Sequence, residues 1–458
     1  MAKVSQVILA LILAGGKGER LMPLTLDRSK PSVPIGGYYR IIDFTLNNCI
    51  NSHIRKAYLL TQFKSQSLDR HIRSGWNLFS DRSYGFIETL PPQQRVSEDW
   101  YRGTADAVWQ NVYSIEREKM PYTLILSGDH IYKMDYSEMF RHHVSNNADV
   151  TVATIETPVA GASSFGVMEV DTESRIIGFE EKPKEPRCIP GDPEHALASM
   201  GVYLFNTQTL LETLNMEFGG SKEMVNKKTL MEKLKDDPEA FHRYTTGDFG
   251  YDVISNMIRI NKKNMASGGG MRYNVFSYNF RDENMKTAKY WRDVGTLQSY
   301  WEANMDLKNP EPELNLYKRH NFNEDIGGWP LRCFKNTFLP AAKFVFSPII
   351  SSSVICDGAI ISNATIRDSV ISVCVNVQSN SIVTESVLFD NVRVGQNCKL
   401  HKVIADKDVI IGDNQSVGIN REQDLARGFT VSDGITVIPR GTRIGETYRG
   451  FNVKTIVI

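Results

Sequence analysis

Between residues 354 and 400 apolar side chains return every six positions: Val354, Ile360 and Ile366, then Ile371, Val377 and Val383, then Leu388, Val394 and Leu400. An amphipathic helix would repeat at threes and fours, and a half-buried strand at twos. A six-residue step fits neither. It predicts a parallel β-helix, each side of a coil turning one apolar residue inward to stack on the next coil. The slips between the three runs leave a plain two-sheet domain as the alternative.

Upstream the pattern changes. Strand-like segments at 56–61, 123–127, 149–154 and 201–205 alternate with charged, helix-compatible stretches, which predicts an α/β fold with a mostly parallel sheet and ligands at the carboxyl ends of its strands. The break falls between 301 and 345, where Asn309-Pro310-Glu311-Pro312 opens a connector-like stretch. The expected division is a catalytic domain at 1–300, a connector at 301–345 and a β-helix at 346–458. With 458 residues, 41% of them hydrophobic, the chain has ample material for two cores. Lys plus Arg equals Asp plus Glu at 53 each, so no basic excess points to nucleic acid or a membrane as partner. The six cysteines, Cys49, Cys188, Cys333, Cys356, Cys374 and Cys398, are scattered, with no Cys-x-x-Cys pair and no zinc spacing. Residues 1–6 are too short for a signal or transit peptide, and the expected location is a bacterial cytoplasm.

The chemistry-bearing segment follows the first apolar run, residues 7–14. Gly15, Gly16 and Gly18 allow a sharp turn whose backbone N–H groups approach phosphate oxygens, and Arg20 and Lys30 add positive charge. The loop lacks the Lys-Ser or Lys-Thr of the common NTPase phosphate loop, and Leu21 stands where a dinucleotide fingerprint needs its third glycine. It reads as a nucleoside triphosphate grip of another kind. Asp129 follows an apolar run, so its carboxylate emerges at a strand's carboxyl end near that loop, where a metal ligand belongs.

The strings LAGGKGERL, SKPSVPIGGYYRIIDFTLNNCINS, LPPQQR with WYRGTADAVWQN, LSGDHIYKMDY, SSFGVMEVD, FEEKP, ASMGVYLF and YWRDVGT together resemble the sugar nucleotidyltransferases, and within them the glucose-1-phosphate adenylyltransferases of bacterial glycogen and plant starch synthesis. The resemblance covers nearly the whole chain. It implies a Rossmann-like nucleotidyltransferase sheet followed by a C-terminal left-handed parallel β-helix that serves assembly as a homotetramer. It also implies that AMP passes from ATP to glucose 1-phosphate with Mg2+ as cofactor. Arg20, Lys30 and Asp129 match the catalytic positions, with Asp129 and Asp293 as metal ligands. Leu13, Gly15, Gly16, Gln62, Gln94, Gly103 and Thr104 match nucleotide-binding positions, the glutamine amides offering a bidentate partner for adenine. Tyr101, Gly166, Glu181, Lys182 and Ser199 match the glucose 1-phosphate pocket.

The resemblance further implies small phosphorylated effectors between the two domains, where Arg28 and Arg40 match basic positions, plain surface cations being the other reading of both. Asp27 and Tyr38 stand where enteric relatives carry lysines, and 434–440 lacks the lysine of plant and cyanobacterial relatives, so the activator's identity stays open. Two other functions remain: a sister enzyme using another NTP or sugar phosphate, and a silent regulatory subunit. The presence of Arg20, Lys30, Asp129, Lys182 and Asp293 argues against silence.

Overall fold

The computed structural model describes residues 4–79, 85–93, 95, 99–220, 222–237, 240–282, 287–316, 329–333 and 339–445. Gln94 and much of the expected connector lie outside them.

The first part is built on a nine-stranded sheet. Its central strand, Ile8–Leu13, pairs in parallel with Lys56–Leu60 on one side and Tyr122–Ser127 on the other, and Phe86–Leu90 extends the parallel half. Leu9 and Leu11 enter one apolar cluster while Ala10 and Ile12 enter another, so both faces of the strand are covered. That explains why residues 7–14 read as a continuous apolar run instead of an alternating one. The other half is antiparallel around the long strand His195–Asn206, which pairs with Tyr122–Ser127, Val150–Pro158 and Gly166–Val170. A register shift between Ser199 and Tyr203, with Gly201 at φ 67°, bends this strand where it passes the site.

The helix Leu297–Asp306 runs across the expected boundary at 300, and Trp301 donates its indole N–H to the Glu385 carbonyl of the second part at 2.8 Å. That second part is a parallel β-helix of three sheets. Its registers explain the slips in the sequence period. The inward stacks are Ile361, Val377, Val394 and Ile411; Ile366, Val383, Leu400 and Val417; and Ile371, Leu388 and Ala405. A full coil takes 17 residues, Val377 to Val394, so its three sides cannot all be six long. In the first run the core residue is Ile361, fully buried, whereas Ile360 is 37% exposed. The sequence reading of that run is therefore corrected by one position, because the coil from Ile361 to Val377 takes only 16 residues. Asn363, Asn380, Asn397 and Asn414 occupy corners at positive φ, which asparagine tolerates better than other non-glycine residues.

Candidate active site

The glycine loop leaves the carboxyl end of Ile8–Leu13 and turns back at Gly18, whose φ of 65° and 2.9 Å clearance to the Lys30 Cβ exclude a side chain. Lys30 follows on a short helix, Lys30–Ser32, and its ammonium is buried beneath the loop. It lies 2.9 Å from Asp129 Oδ2 and 2.9 Å from Asp293 Oδ1. Burial by itself pulls the Lys30 pKa down; the two carboxylates outweigh it and hold the pKa above the ordinary lysine value. Burial likewise pushes Asp129 up, but Lys30, His130 and the Ser127 hydroxyl prevail and hold it well below the usual carboxylate range.

No sequence spacing joins Asp293 to Asp129. The structure does so through a two-stranded ladder in which Trp291–Asp293 runs antiparallel to His130–Tyr132 and Asp293 sits opposite His130. Oxygen atoms of Asp129 and Asp293 and a ring nitrogen of His130 lie within 4.8 Å of one another. This carboxylate-rich donor set at a strand's carboxyl end fits a hard divalent cation. The helix Ile41–Asn51 braces the ladder: Thr45 Oγ1 donates to the Ser127 carbonyl at 3.0 Å and Asn48 Nδ2 to the Tyr132 carbonyl at 3.2 Å.

Two cavities meet at this point and share Leu13, Ser127 and Thr104 on their walls. The first, about 390 Å³, is lined by Gly15, Gly16, Lys30, Gln62, Tyr101 and Gly103. The second, about 460 Å³, is lined by Arg20, Gly166, Glu181, Lys182, Ser199 and Asp293. Arg20 is exposed, with its guanidinium in no ion pair among the described residues. Gly166 leaves room that a Cβ would fill, 2.6 Å from the Phe179 ring and 2.9 Å from Glu181 Oε2. Lys182 adopts φ 50°, an uncommon conformation for lysine, with its side chain 63% exposed toward the cleft.

Three of the expected site residues make contacts that the sequence did not show. Gln62 does not present a free amide to a base: its Oε1 accepts the Tyr101 N–H at 2.7 Å and its Nε2 donates to the Tyr101 carbonyl at 3.3 Å. Its amide anchors the 101–104 loop. Tyr101 lines the first cavity, not the second, and Asn111 Nδ2 donates to its hydroxyl at 2.9 Å. The neighbouring Trp100 is 63% exposed. Thr104 Oγ1 accepts the Phe249 N–H at 3.1 Å, while the Gly247 carbonyl accepts the N–H groups of Ala105 and Asp106. Two helix starts thus cap each other. A Cβ on Gly103 would lie 2.2 Å from the Gly247 oxygen, so the glycine serves this close approach.

Asp248 is a site residue that the sequence reading missed. It lines the second cavity, caps the turn Phe249–Ile254 through Gly250 and Tyr251 N–H groups, and faces Lys227 Nζ at 3.1 Å. Lys227 also lies 3.7 Å from Glu181. Its available signal was an aspartate followed by Phe-Gly just before a helical run, which is common in any chain.

Arg40 and Arg28 part company. Arg40 lines a third cavity of about 340 Å³ between the two parts of the molecule, together with His71, Asp390 and Lys407. Its Nη1 donates to Ser67 O and Oγ at 2.8 and 3.0 Å. Arg28 is only 4% exposed, and its Nη2 lies 2.8 and 3.1 Å from the two oxygens of Asp406 on the β-helix. The expectation of an effector-facing Arg28 is corrected: its charge is spent on a buried inter-domain pair.

Residues 9–310 match the nucleotidyl transferase family model and 340–438 the GlmU-like, C-terminal hexapeptide model. The chain is 45% identical to the glucose-1-phosphate adenylyltransferase of Rhodopirellula baltica, across 95% of this chain and 90% of that protein. The chain belongs to that family. It is likewise 45% identical to the Koribacter versatilis relative of the same name, across 96% of each chain, and 44% identical to that of Shewanella baltica, across 94% of each. Among the described residues no helix is long and apolar enough to cross a membrane.

Proposed function

We propose that this protein transfers AMP from ATP to α-D-glucose 1-phosphate, giving ADP-glucose and pyrophosphate, the committed step toward a storage glucan. The observation that carries the reading is the meeting of a glycine-loop cavity and a Lys182–Glu181–Asp248 cavity at one pair of aspartates bridged by Lys30.

An oxygen of the sugar phosphate forms a bond to the α-phosphorus of ATP while the α–β P–O bond breaks, and its electron pair leaves with pyrophosphate. Both reactants are anions, so catalysis rests on positioning and charge cancellation. Lys30 and Arg20 supply fixed positive charge around the triphosphate, and the loop at Gly15 and Gly16 supplies backbone N–H donors. Lys182 takes the sugar phosphate, and Glu181, Ser199 and Asp248 take sugar hydroxyls. Asp129 and Asp293 would hold Mg2+, which neutralises phosphate charge and polarises the reacting phosphoryl group. Arg40 and Lys407, facing the inter-domain cavity, offer cations to small phosphorylated effectors. Assembly as a homotetramer through the β-helix, in the cytoplasm, completes the reading.

The test is pyrophosphate release with Mg2+ and glucose 1-phosphate, comparing ATP, UTP, dTTP, CTP and GTP. Turnover chiefly with ATP supports the proposal. Preference for another nucleotide moves the protein to a sister activity, and silence with every pair refutes it in favour of a regulatory subunit.

A further inference from the structure

We infer that His130 is a third protein ligand of the divalent cation, offering Nε2 beside the carboxylates of Asp129 and Asp293. This rests on the metal assignment made under the proposed function and extends it to a residue that neighbours, but is not part of, the aspartate pair.

The ring is held from three sides. His130 begins the short strand His130–Tyr132, directly opposite Asp293 in the ladder. Its face and edge are fixed against Trp291, ring centroids 5.1 Å apart and planes at 77°. Its Nδ1 lies 3.1 Å from the Met200 carbonyl oxygen, at the bend where Gly201 takes φ 67°. A carbonyl only accepts, so Nδ1 is the donor of this contact and Nε2 is the ring nitrogen turned to the aspartates.

Nε2 lies 3.6 Å from Asp129 Oδ1 and 3.9 Å from Asp293 Oδ1. Both separations are too long for a hydrogen bond. A cation placed among the three groups would be reached by an oxygen of each aspartate and by Nε2, atoms that all lie within 4.8 Å of one another. The pattern is that of a metal-ligating histidine, whose second nitrogen is oriented by a backbone carbonyl. One imidazole among oxygen donors also alters selectivity. Mg2+ takes oxygen ligands almost exclusively, while Mn2+ accepts a nitrogen and stands within the series whose affinities rise with such donors. The site is therefore predicted to bind Mn2+ more tightly than an all-oxygen version of itself would.

The experiment is pulsed EPR of Mn2+ bound to the full-length protein with inorganic tripolyphosphate, which carries no nitrogen of its own. Mn2+ and Mg2+ affinities would be measured by titration calorimetry on the wild type, His130→Asn, His130→Gln and Asp129→Asn. The expected result is a 14N modulation in the wild type that disappears in both His130 variants, with the Mn2+ dissociation constant raised roughly 10–100-fold and that for Mg2+ raised less. Bound Mn2+ with no nitrogen modulation in the wild type overturns the role of His130, even if Asp129→Asn abolishes binding and so upholds the aspartate pair. Mn2+ binding indifferent to Asp129→Asn overturns the metal assignment itself. The wild-type spectrum needs no variant to fold, so the inference stays exposed to refutation.

Discussion

Replacing Asp406 by alanine removes the partner of a cation that has nowhere else to go. Arg28 and Asp406 side chains are 5% and 3% exposed, 378 residues apart in sequence, and joined by one guanidinium nitrogen that reaches both carboxylate oxygens. Arg28 Nη1 is buried without a partner even in the intact pair. Burial pushes the Asp406 carboxyl above its ordinary pKa and Arg28 opposes that shift, so the intact pair carries a desolvation cost. Its net worth is small for that reason, but breaking it on one side strands the other charge. The expected loss is about 3–5 kcal/mol. At about 2 °C per kcal/mol for a folding unit of this size, that lowers the melting temperature by roughly 6–10 °C. Asp406 belongs to the β-helix, whereas Arg28 lies two residues before Lys30, so the catalytic constant should fall together with stability. Differential scanning calorimetry on Asp406→Ala, Arg28→Met and the Arg28→Met/Asp406→Leu double variant checks the reasoning. Each single variant should be strongly destabilised and the double variant should recover most of the loss, because no unpaired charge remains. Additive losses below about 1 kcal/mol each would falsify the coupling.

Four further outcomes follow from the same geometry. Asp129→Asn should lower the turnover number by at least about 100–1,000-fold while circular dichroism stays unchanged, since the amide keeps the shape and removes the charge; near-normal rates would contradict its role. Lys182→Ala should raise the apparent KM for glucose 1-phosphate by a factor set by about 2–3 kcal/mol and leave that for ATP much less affected, with equal losses for both substrates as the contrary result. Gln62→Leu should raise the KM for ATP by loosening the 101–104 loop without changing which nucleotide is preferred; a switch of base preference would restore a direct reading of the base. His143, buried, accepts from Thr151 Oγ1 at 2.8 Å and donates toward Asn206 Oδ1 at 3.3 Å, and burial lowers its pKa to about 4. The folded state disfavours the charged ring, so stability is full above the unfolded value of about 6.5 and falls by about 3 kcal/mol as pH drops from there to about 4. Melting curves across that window should lose this slope in His143→Gln.

The parts of this molecule that could be read from the sequence are those with a local cause. The apolar run at 7–14, the glycines after it and the six-residue apolar beat each reflect contacts whose period is written along the chain. The beat failed by one residue at Ile360 because neither a 17-residue coil nor the 16-residue coil from Ile361 to Val377 can keep a strict six. What stayed hidden is what the chain brings together at long range. Asp293 reaches Asp129 through a three-residue ladder, a pairing too short to leave a periodic trace, and the family resemblance alone foretold it. Gln62 and Thr104 sit on the walls of the cleft, as expected, yet their polar groups are committed to Tyr101 and Phe249. Residue type told that they could bind a nucleotide; it could not tell that backbone groups would claim them first. Arg28 repeats the lesson, since its partner lies at the far end of the sequence.

The most direct test of the proposed reaction uses glucose 1-phosphate labelled with 18O at the non-bridging phosphate oxygens, incubated with ATP, Mg2+ and the purified protein, with products weighed by mass spectrometry. Attack of the sugar phosphate on the α-phosphorus predicts ADP-glucose that retains all of the label and pyrophosphate that carries none. Labelled pyrophosphate, or a failure to form any labelled sugar nucleotide, would contradict the account.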